Sequence, residues 1–188
     1  MGASIRTFIA IELPQNIRAA IGEIQEVLKS NKFNAKWVRA ENIHLTLKFL
    51  GNIDPAAVAG IEAVLHDTVK TTAPFSLMAK GLGVFPGLRR PRVIWIGIVG
   101  QIDALIRLQR GLDENLQKIG FTPEKRPFKG HLTIARVRGG LDSRRMAAAI
   151  NRFQDFEAES FTVKNLVLFK SDLQPTGSVY TKLLDIAF

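Results

Sequence analysis

The sequence predicts a single α+β domain whose strands are mostly antiparallel. The chain has 188 residues, of which 46% are hydrophobic and 23% charged, a composition typical of a globular protein. This length fits one compact domain, so we expect residues 1–188 to form one unit. Several predicted strands follow one another with no helix between them, which argues against a parallel, doubly wound sheet.

Seven or eight strands are predicted from alternating or continuous apolar residues bounded by turn residues. Pro86 and Gly87 form the turn between the fourth strand and the fifth. In chain order, the strands are residues 4–13, 35–38, 43–50, 75–84, 92–99, 131–137, 161–169 and 179–186.

Four helices are predicted from apolar residues spaced three or four positions apart. The first begins at Pro14, a favourable residue at a helix start, and the second at Asp54 and Pro55. The third ends at Gly120, and the fourth covers residues 142–153. The apolar stripes of the first three helices comprise Ile17, Ile21, Ile24 and Leu28; Val58, Ile61, Leu65 and Val69; and Ile102, Leu105, Leu108, Leu112, Leu116 and Ile119.

Charge and composition exclude several classes of protein. The formal net charge of +9 favours a polyanionic partner such as nucleic acid. The chain has no cysteine, which excludes disulfides, thiolate nucleophiles and cysteine-ligated metal sites. No apolar run approaches the roughly 20 residues that span a bilayer, and Glu12 interrupts the apolar start. We therefore expect a cytoplasmic protein without membrane association.

One short motif occurs twice. Residues 43–48 read Ile-His-Leu-Thr-Leu-Lys, and residues 130–135 read Gly-His-Leu-Thr-Ile-Ala, almost half a chain length later. Side chains alternate along a strand, so His44 and Thr46 face one way, as do His131 and Thr133, while the aliphatic residues face the core. Imidazoles can act as acid and base near neutral pH, and hydroxyls can donate to phosphate oxygens. We interpret the repeat as a duplicated lobe whose two strands face each other.

Other catalytic signatures are missing from the sequence. It contains no His-Glu-x-x-His, no Gly-x-Ser-x-Gly and no Walker Gly-Lys-Ser/Thr motif. No carboxylate lies at a companion spacing to either repeated histidine, so we expect no metal site. His66 lies on the second helix and is interpreted as structural or exposed.

The two motifs resemble the His-x-Thr-x motifs of the 2H phosphoesterase superfamily. Within it, the chain is most similar to the LigT-like RNA 2′,3′-cyclic phosphodiesterases, also called 2′-5′ RNA ligases. The likeness also covers residues 6–11 and 91–97. It implies a bilobal fold of two mainly antiparallel sheets with flanking helices, related by a pseudo-twofold axis, in which intertwined lobes enclose an active-site cleft.

The resemblance also implies an activity, which is hydrolysis of a 2′,3′-cyclic phosphate at an RNA end to a 2′-phosphate, without metal or cofactor. It makes His44 the proton donor and His131 the proton acceptor. Small cyclic nucleotides are the alternative substrates, and we expect a monomer.

Further residues are candidates for binding the substrate. The threonines Thr46 and Thr133 are expected to hold phosphate, and Arg126 and Lys129 belong to a basic stretch preceding the second motif. The resemblance places an arginine at Arg136, but in a regular strand this residue would face away from His131, so a bulge or twist is required. Aromatic residues can stack on a base, and the candidates retained are Phe49 and Trp95.

Two alternative functions remain open at this stage. The same histidines could catalyse reversible 2′-5′ RNA ligation. The chain could also be a non-enzymatic module that binds RNA ends or nucleotides, although binding alone requires arginine and lysine more than two titrating groups.

Overall fold

The computed structural model describes residues 3–140, 142–175 and 177–188, and it has an α+β fold. Four α-helices are present in these residues: α1 (Gln15–Ser30), α2 (Val58–Lys70), α3 (Ile102–Lys118) and α4 (Ser143–Arg152). The strands are β1 (Ile5–Glu12), β2 (Ala35–Trp37), β3 (His44–Ile53), β4 (Ser76–Phe85), β5 (Val93–Gly100), β6 (His131–Val137), β7 (Phe161–Thr162), β8 (Asn165–Gln174) and β9 (Gly177–Ala187).

All described strand pairs are antiparallel, as predicted. The strand order is β7-β4-β5-β6-β3-β1-β8-β9, with β2 added beside β6. The two predicted sheets are therefore joined by hydrogen bonds into one nine-stranded sheet. The two halves meet where Leu45 of β3 pairs with Leu132 of β6.

The element order repeats along the chain. The order β1-α1-β3-α2-β4 in the first half corresponds to β5-α3-β6-α4-β8 in the second. Each half also gives strands to the other, because β2 pairs with β6 while β8 pairs with β1. This arrangement agrees with the predicted duplication.

The main core lies between the sheet and the helices. Helices α1 and α3 bury apolar stripes that include Ile21 and Leu112, each fully buried. A second, smaller cluster covers part of the opposite face of the sheet and consists of Phe8, Ala10, Val167 and Phe169. That face is otherwise open, and it carries the candidate site.

The sequence places most elements within a few residues of their observed bounds. One prediction is wrong: residues 161–169 form two strands, since β7 pairs with β4 whereas β8 pairs with β1. The break falls at Val163 and Lys164, between partners at opposite ends of the sheet order. His66 is exposed on α2. Within the described residues, no helix combines the length and apolar character needed to cross a membrane.

Candidate active site

The site is built on β3 and β6, each of which begins with its motif histidine. In β3 the half-buried residues His44 and Thr46 alternate with Leu45, which is fully buried. In β6 the residues His131 and Thr133 alternate in the same way with buried aliphatic residues. The pairs of histidine and threonine therefore lie on the open face of the sheet, as the sequence predicts.

The pairing of Leu45 with Leu132 sets the relation between the two motifs. Antiparallel register around this pair brings His44 opposite Thr133 and Thr46 opposite His131. Each histidine thus faces the threonine of the other half of the chain. The result is a pseudo-symmetric set of two imidazoles and two hydroxyls.

Both strands bulge at the third residue after the histidine. The pairing of β1 with β3 shifts by one residue at Leu47, and that of β5 with β6 shifts at Ile134. A bulge reverses the faces that follow it. Arg136 and its positional equivalent Phe49 therefore return to the side of the histidines, which supplies the irregularity that a cleft position for Arg136 requires.

These residues line one cleft of about 610 Å³. It brings together six predicted site residues: His44, Thr46, Phe49, His131, Thr133 and Arg136. Phe49 is 60% exposed, so its ring is available to a ligand. The cleft lining also contains three cations that sequence reasoning did not select, Arg6, Lys36 and Arg39, and it includes no aspartate or glutamate among the described residues.

His44 lies in an aromatic environment that desolvates it. Its ring stacks on Phe8 with a centroid separation of 4.7 Å, and the ring of Tyr180 meets it edge-on at 5.3 Å. Burial lowers the pKa of His44 from 6.5 to about 4, although a hydrogen bond to the carbonyl of Asn42 acts in the opposite direction. His44 is therefore neutral in the free protein at pH 7.

His131 has a different environment. The ring of Phe85 lies edge-on to it, with centroids 5.0 Å apart. Lys129 Nζ lies above the rings of Phe85 and Trp95, at 5.1 and 5.3 Å from their centroids. His44 thus has aromatic rings on two sides, whereas His131 has one aromatic neighbour, whose ring also carries the ammonium group of Lys129.

The two imidazoles have the same backbone anchor. Nδ1 of His44 is 2.7 Å from the carbonyl oxygen of Asn42, and Nδ1 of His131 is 2.7 Å from that of Lys129. A carbonyl can only accept, so Nδ1 carries hydrogen in both rings. Nε2 then remains to exchange protons with a ligand in each case.

Three predicted binding residues lie outside the cleft lining. Lys129 and Trp95 both lie against the ring of Phe85, which in turn lies edge-on to His131. The Trp95 ring also lies over Gly83 of the neighbouring strand, where a Cβ atom would collide with it. Arg126 is an exposed loop residue whose backbone nitrogen donates to Glu124. The lining instead includes Tyr180 of β9 and Lys36 of β2, which long-range pairing brings to the site.

The arrangement suits proton transfer around an anion. Two imidazoles offer Nε2, two hydroxyls can donate to oxygens, and the lining cations attract negative charge. Among the described residues, no three side chains of histidine, cysteine, aspartate or glutamate cluster in a way that could hold a metal ion.

Comparison with known proteins shows relatives that cover almost the whole chain. The model of the family described as LigT like Phosphoesterase matches twice, at residues 11–95 and 96–180, which are the two halves of the repeat. An RNA 2′,3′-cyclic phosphodiesterase of Methanothermobacter thermautotrophicus is 37% identical over 95% of this chain and 96% of its own. One of Thermotoga maritima is 36% identical over 98% of this chain and 96% of its own.

Solved structures have the same fold. The crystal structure of TT0787 from Thermus thermophilus superposes with a TM-score of 0.82 and 28% identity, covering 97% of each chain. The LigT protein of E. coli, solved in complex with 3′-AMP, gives a TM-score of 0.76 and 25% identity over 98% of each chain.

Proposed function

The chain belongs to the family of LigT-like phosphoesterases, and we propose that it hydrolyses the 2′,3′-cyclic phosphate at an RNA end to a 2′-phosphate. The single observation that carries this proposal is the facing pair of His-x-Thr strands in a cleft lined by cations. The names of the relatives and the nucleotide bound to E. coli LigT support a nucleotide substrate.

The reaction needs two proton transfers on opposite sides of phosphorus. A base takes a proton from the attacking water as its oxygen bonds to phosphorus. An acid gives a proton to the ribose 3′ oxygen as the bond from phosphorus to that oxygen breaks. The product then carries a 2′-phosphate and a 3′-hydroxyl. In the proposed mechanism Nε2 of His44 and Nε2 of His131 carry out these two transfers, and each positioned group is worth roughly 10²–10⁴-fold in rate.

We assign His44 as the acid and His131 as the base, as the family resemblance implies. Since burial holds the pKa of free His44 near 4, its proton must be acquired together with the substrate. An anionic phosphate next to the imidazole raises its pKa and favours the charged form. Thr46 and Thr133 donate to the nonbridging oxygens and hold the phosphate between the two rings.

The activity is tested with an oligonucleotide that ends in a 2′,3′-cyclic phosphate. We expect a product with a 2′-phosphate, identified by ³¹P NMR, and its loss in His44→Ala and His131→Ala. His66→Ala is the matched control, because His66 is exposed on α2 and does not line the cleft. Binding without turnover would indicate the RNA-end binding module, and joining to a 5′-hydroxyl RNA would indicate the ligase.

The two roles are tested with a substrate whose leaving group needs no proton, such as a p-nitrophenyl phosphodiester. With this substrate, replacing His44 should cost much less than it does with the cyclic phosphate, whereas replacing His131 should remain costly. An identical response of the two variants would contradict the assignment of acid and base.

A further inference from the structure

We propose that Lys36 and Arg136 form a second anion site in the cleft, which binds the phosphodiester group preceding the cyclic phosphate of an RNA end. This inference rests on the proposed function and adds to it the distinction between an oligonucleotide end and a free cyclic nucleotide.

The two cations are direct cross-strand neighbours. Lys36 of β2 pairs with Arg136 of β6, and on the other side of β6 Arg136 pairs with Val93 of β5. Directly opposed residues of antiparallel strands project from the same face, with Cβ atoms about 5 Å apart. Both side chains are exposed and line the cleft that contains the histidines.

This placement has an electrostatic cost. Like charges directly opposite each other on neighbouring strands destabilise a sheet. Within the described residues, neither Lys36 nor Arg136 forms an ion pair. An anion bound between the two side chains removes the repulsion and gains charge-assisted hydrogen bonds from both of them.

A buried side chain holds the two strands in this register. The amide of Gln25, which is 3% exposed, donates to the carbonyl oxygens of Val38 at 2.8 Å and Ile134 at 2.9 Å. Val38 lies two residues after Lys36, and Ile134 is the bulge residue two positions before Arg136. The amide thus fixes both the alignment of the strands and the bulge that turns Arg136 into the cleft.

The position of the pair separates it from the reacting phosphate. Arg136 follows His131 by five residues, and the bulge between them removes about one residue of rise. At roughly 3.3 Å per residue, Arg136 therefore lies about 13 Å along β6 from His131. The reacting phosphate lies between the histidines, so the cation pair faces a group further along the ligand. In an RNA end, the next anionic group is the preceding phosphodiester, which a mononucleotide lacks.

The test compares Lys36→Met with the wild type on two substrates at low salt. These are a nucleoside 2′,3′-cyclic phosphate and a dinucleotide that ends in the same cyclic phosphate. We expect the ratio of kcat/KM for the dinucleotide to that for the mononucleotide to fall about five-fold or more. The slope of log affinity against log salt for the dinucleotide should become shallower by about 0.7, the value for one lost contact to a single strand.

Two further variants serve as controls. Lys36→Arg keeps the charge and should keep the ratio. Lys70→Met removes an exposed cation on α2, outside the cleft lining, and should leave both substrates unaffected. An equal loss for both substrates with Lys36→Met would place Lys36 at the reacting phosphate, and an unchanged ratio would make it a solvated surface charge. Either outcome overturns the proposal.

Binding measurements separate this inference from the proposed activity. If the wild type hydrolyses neither substrate, the proposed function fails, but calorimetry with the dinucleotide 2′-phosphate and the nucleoside 2′-phosphate still tests the site. Lys36→Met should then weaken dinucleotide binding more than mononucleotide binding. Equal affinities in variant and wild type would overturn the second anion site on its own.

Discussion

The side-chain amide of Gln25 donates a hydrogen bond to the carbonyl oxygen of Ile134, the residue at which β6 bulges three positions after His131. Gln25 belongs to the first half of the repeat and Ile134 to the second. The other motif strand has a comparable contact, because Lys48 of β3, next to the bulge at Leu47, forms an ion pair with Asp113 of α3. Each half of the chain therefore anchors the motif strand of the other half.

Replacing Gln25 with Met should reduce both stability and activity. The carbonyl of Val38 loses a hydrogen-bond donor, and a buried polar group without a partner costs about 1–3 kcal/mol. Urea unfolding measures this loss. If Gln25 acts through Arg136, its additional effect on kcat/KM should largely vanish in an Arg136→Ala background, as in a double-mutant cycle.

Gln109→Met is the matched control for Gln25→Met. Gln109 is a buried glutamine on α3, away from the two carbonyls that Gln25 contacts. Its effect on kcat/KM should be additive with that of Arg136→Ala. Full additivity for Gln25 as well would limit that residue to a general role in stability.

The buried ion pair of Lys48 and Asp113 should respond unequally to removal of its two partners. The side chain of Lys48 is 5% exposed and that of Asp113 is 16% exposed. Asp113→Ala leaves a buried ammonium group and should cost about 3 kcal/mol of unfolding free energy or more. Lys48→Met removes the charge with similar volume and should cost less, as measured by urea unfolding.

An exposed ion pair provides the comparison for this prediction. Lys80 and Glu157 also form an ion pair, but their side chains are 44% and 50% exposed. Lys80→Met should therefore cost much less than Asp113→Ala, because exposed ion pairs contribute little to stability. If Asp113→Ala were as mild as Lys80→Met, the contact between β3 and α3 would not stabilise the fold.

Acid should destabilise the protein through His44. Its pKa is about 4 in the folded state and 6.5 in the unfolded chain, so between these values the unfolded state binds more protons. The stabilisation of the folded state that comes with a neutral His44 is therefore complete above pH 6.5 and is lost as the pH falls towards 4. It amounts to about 3 kcal/mol over this window.

The contribution of His44 is measured by difference. The unfolding free energy of His44→Gln should fall less between pH 7 and pH 4 than that of the wild type, and NMR titration should give His44 a pKa near 4. His66→Gln should retain the behaviour of the wild type, because His66 is exposed. A titration of His44 near 6.5 would show that the aromatic cluster does not desolvate it.

Hydrolysis should be independent of metal ions. The catalytic groups proposed are two imidazoles and two hydroxyls, and the described cleft lining contains no carboxylate that would complete a metal site. Excess EDTA should leave the rate with a cyclic nucleotide unchanged. Loss of activity followed by rescue with a divalent metal would contradict this prediction.

Phe49 should contribute to binding the base of the substrate. Its ring is 60% exposed in the cleft, and stacking of a base on an aromatic ring is worth about 1–3 kcal/mol. Phe49→Ala should therefore raise KM for cyclic nucleotides with little change in unfolding free energy. A p-nitrophenyl diester without a base is the control, and equal losses with both substrates would exclude stacking.

Local sequence patterns predict much of this fold because apolar periodicity reports burial. The bounds of β6 are predicted to the residue, and α1 begins directly after Pro14. The strand predicted at residues 161–169 is two strands, because the chain changes pairing partners at Val163. The local sequence does not predict this change of partners.

The residues of the candidate site fall into two groups, those placed by local patterns and those placed by long-range strand pairing. Alternation within each motif strand is local, so the face shared by His44 and Thr46 is predictable. Lys36 and Tyr180 join the site only because β2 pairs with β6 and β9 follows β8 at the sheet edge. The spacing of residues along the sequence does not predict which distant strands pair. Arg136 belongs partly to each group. The sequence predicts that a bulge or twist is needed to bring Arg136 into the cleft, but it does not predict that Gln25 holds the bulge in place.

The repeated element order has a consequence for how the acid and base could become different. In a symmetric dimer of half-length chains, both histidines would have identical neighbours and therefore identical proton affinities. Two copies fused in one chain can change separately: His44 stacks on Phe8, whereas His131 lies against the edge of Phe85. Fusion thus permits the two copies of one motif to acquire the different surroundings that the proposed proton donor and proton acceptor require, while both copies keep the same pair of histidine and threonine.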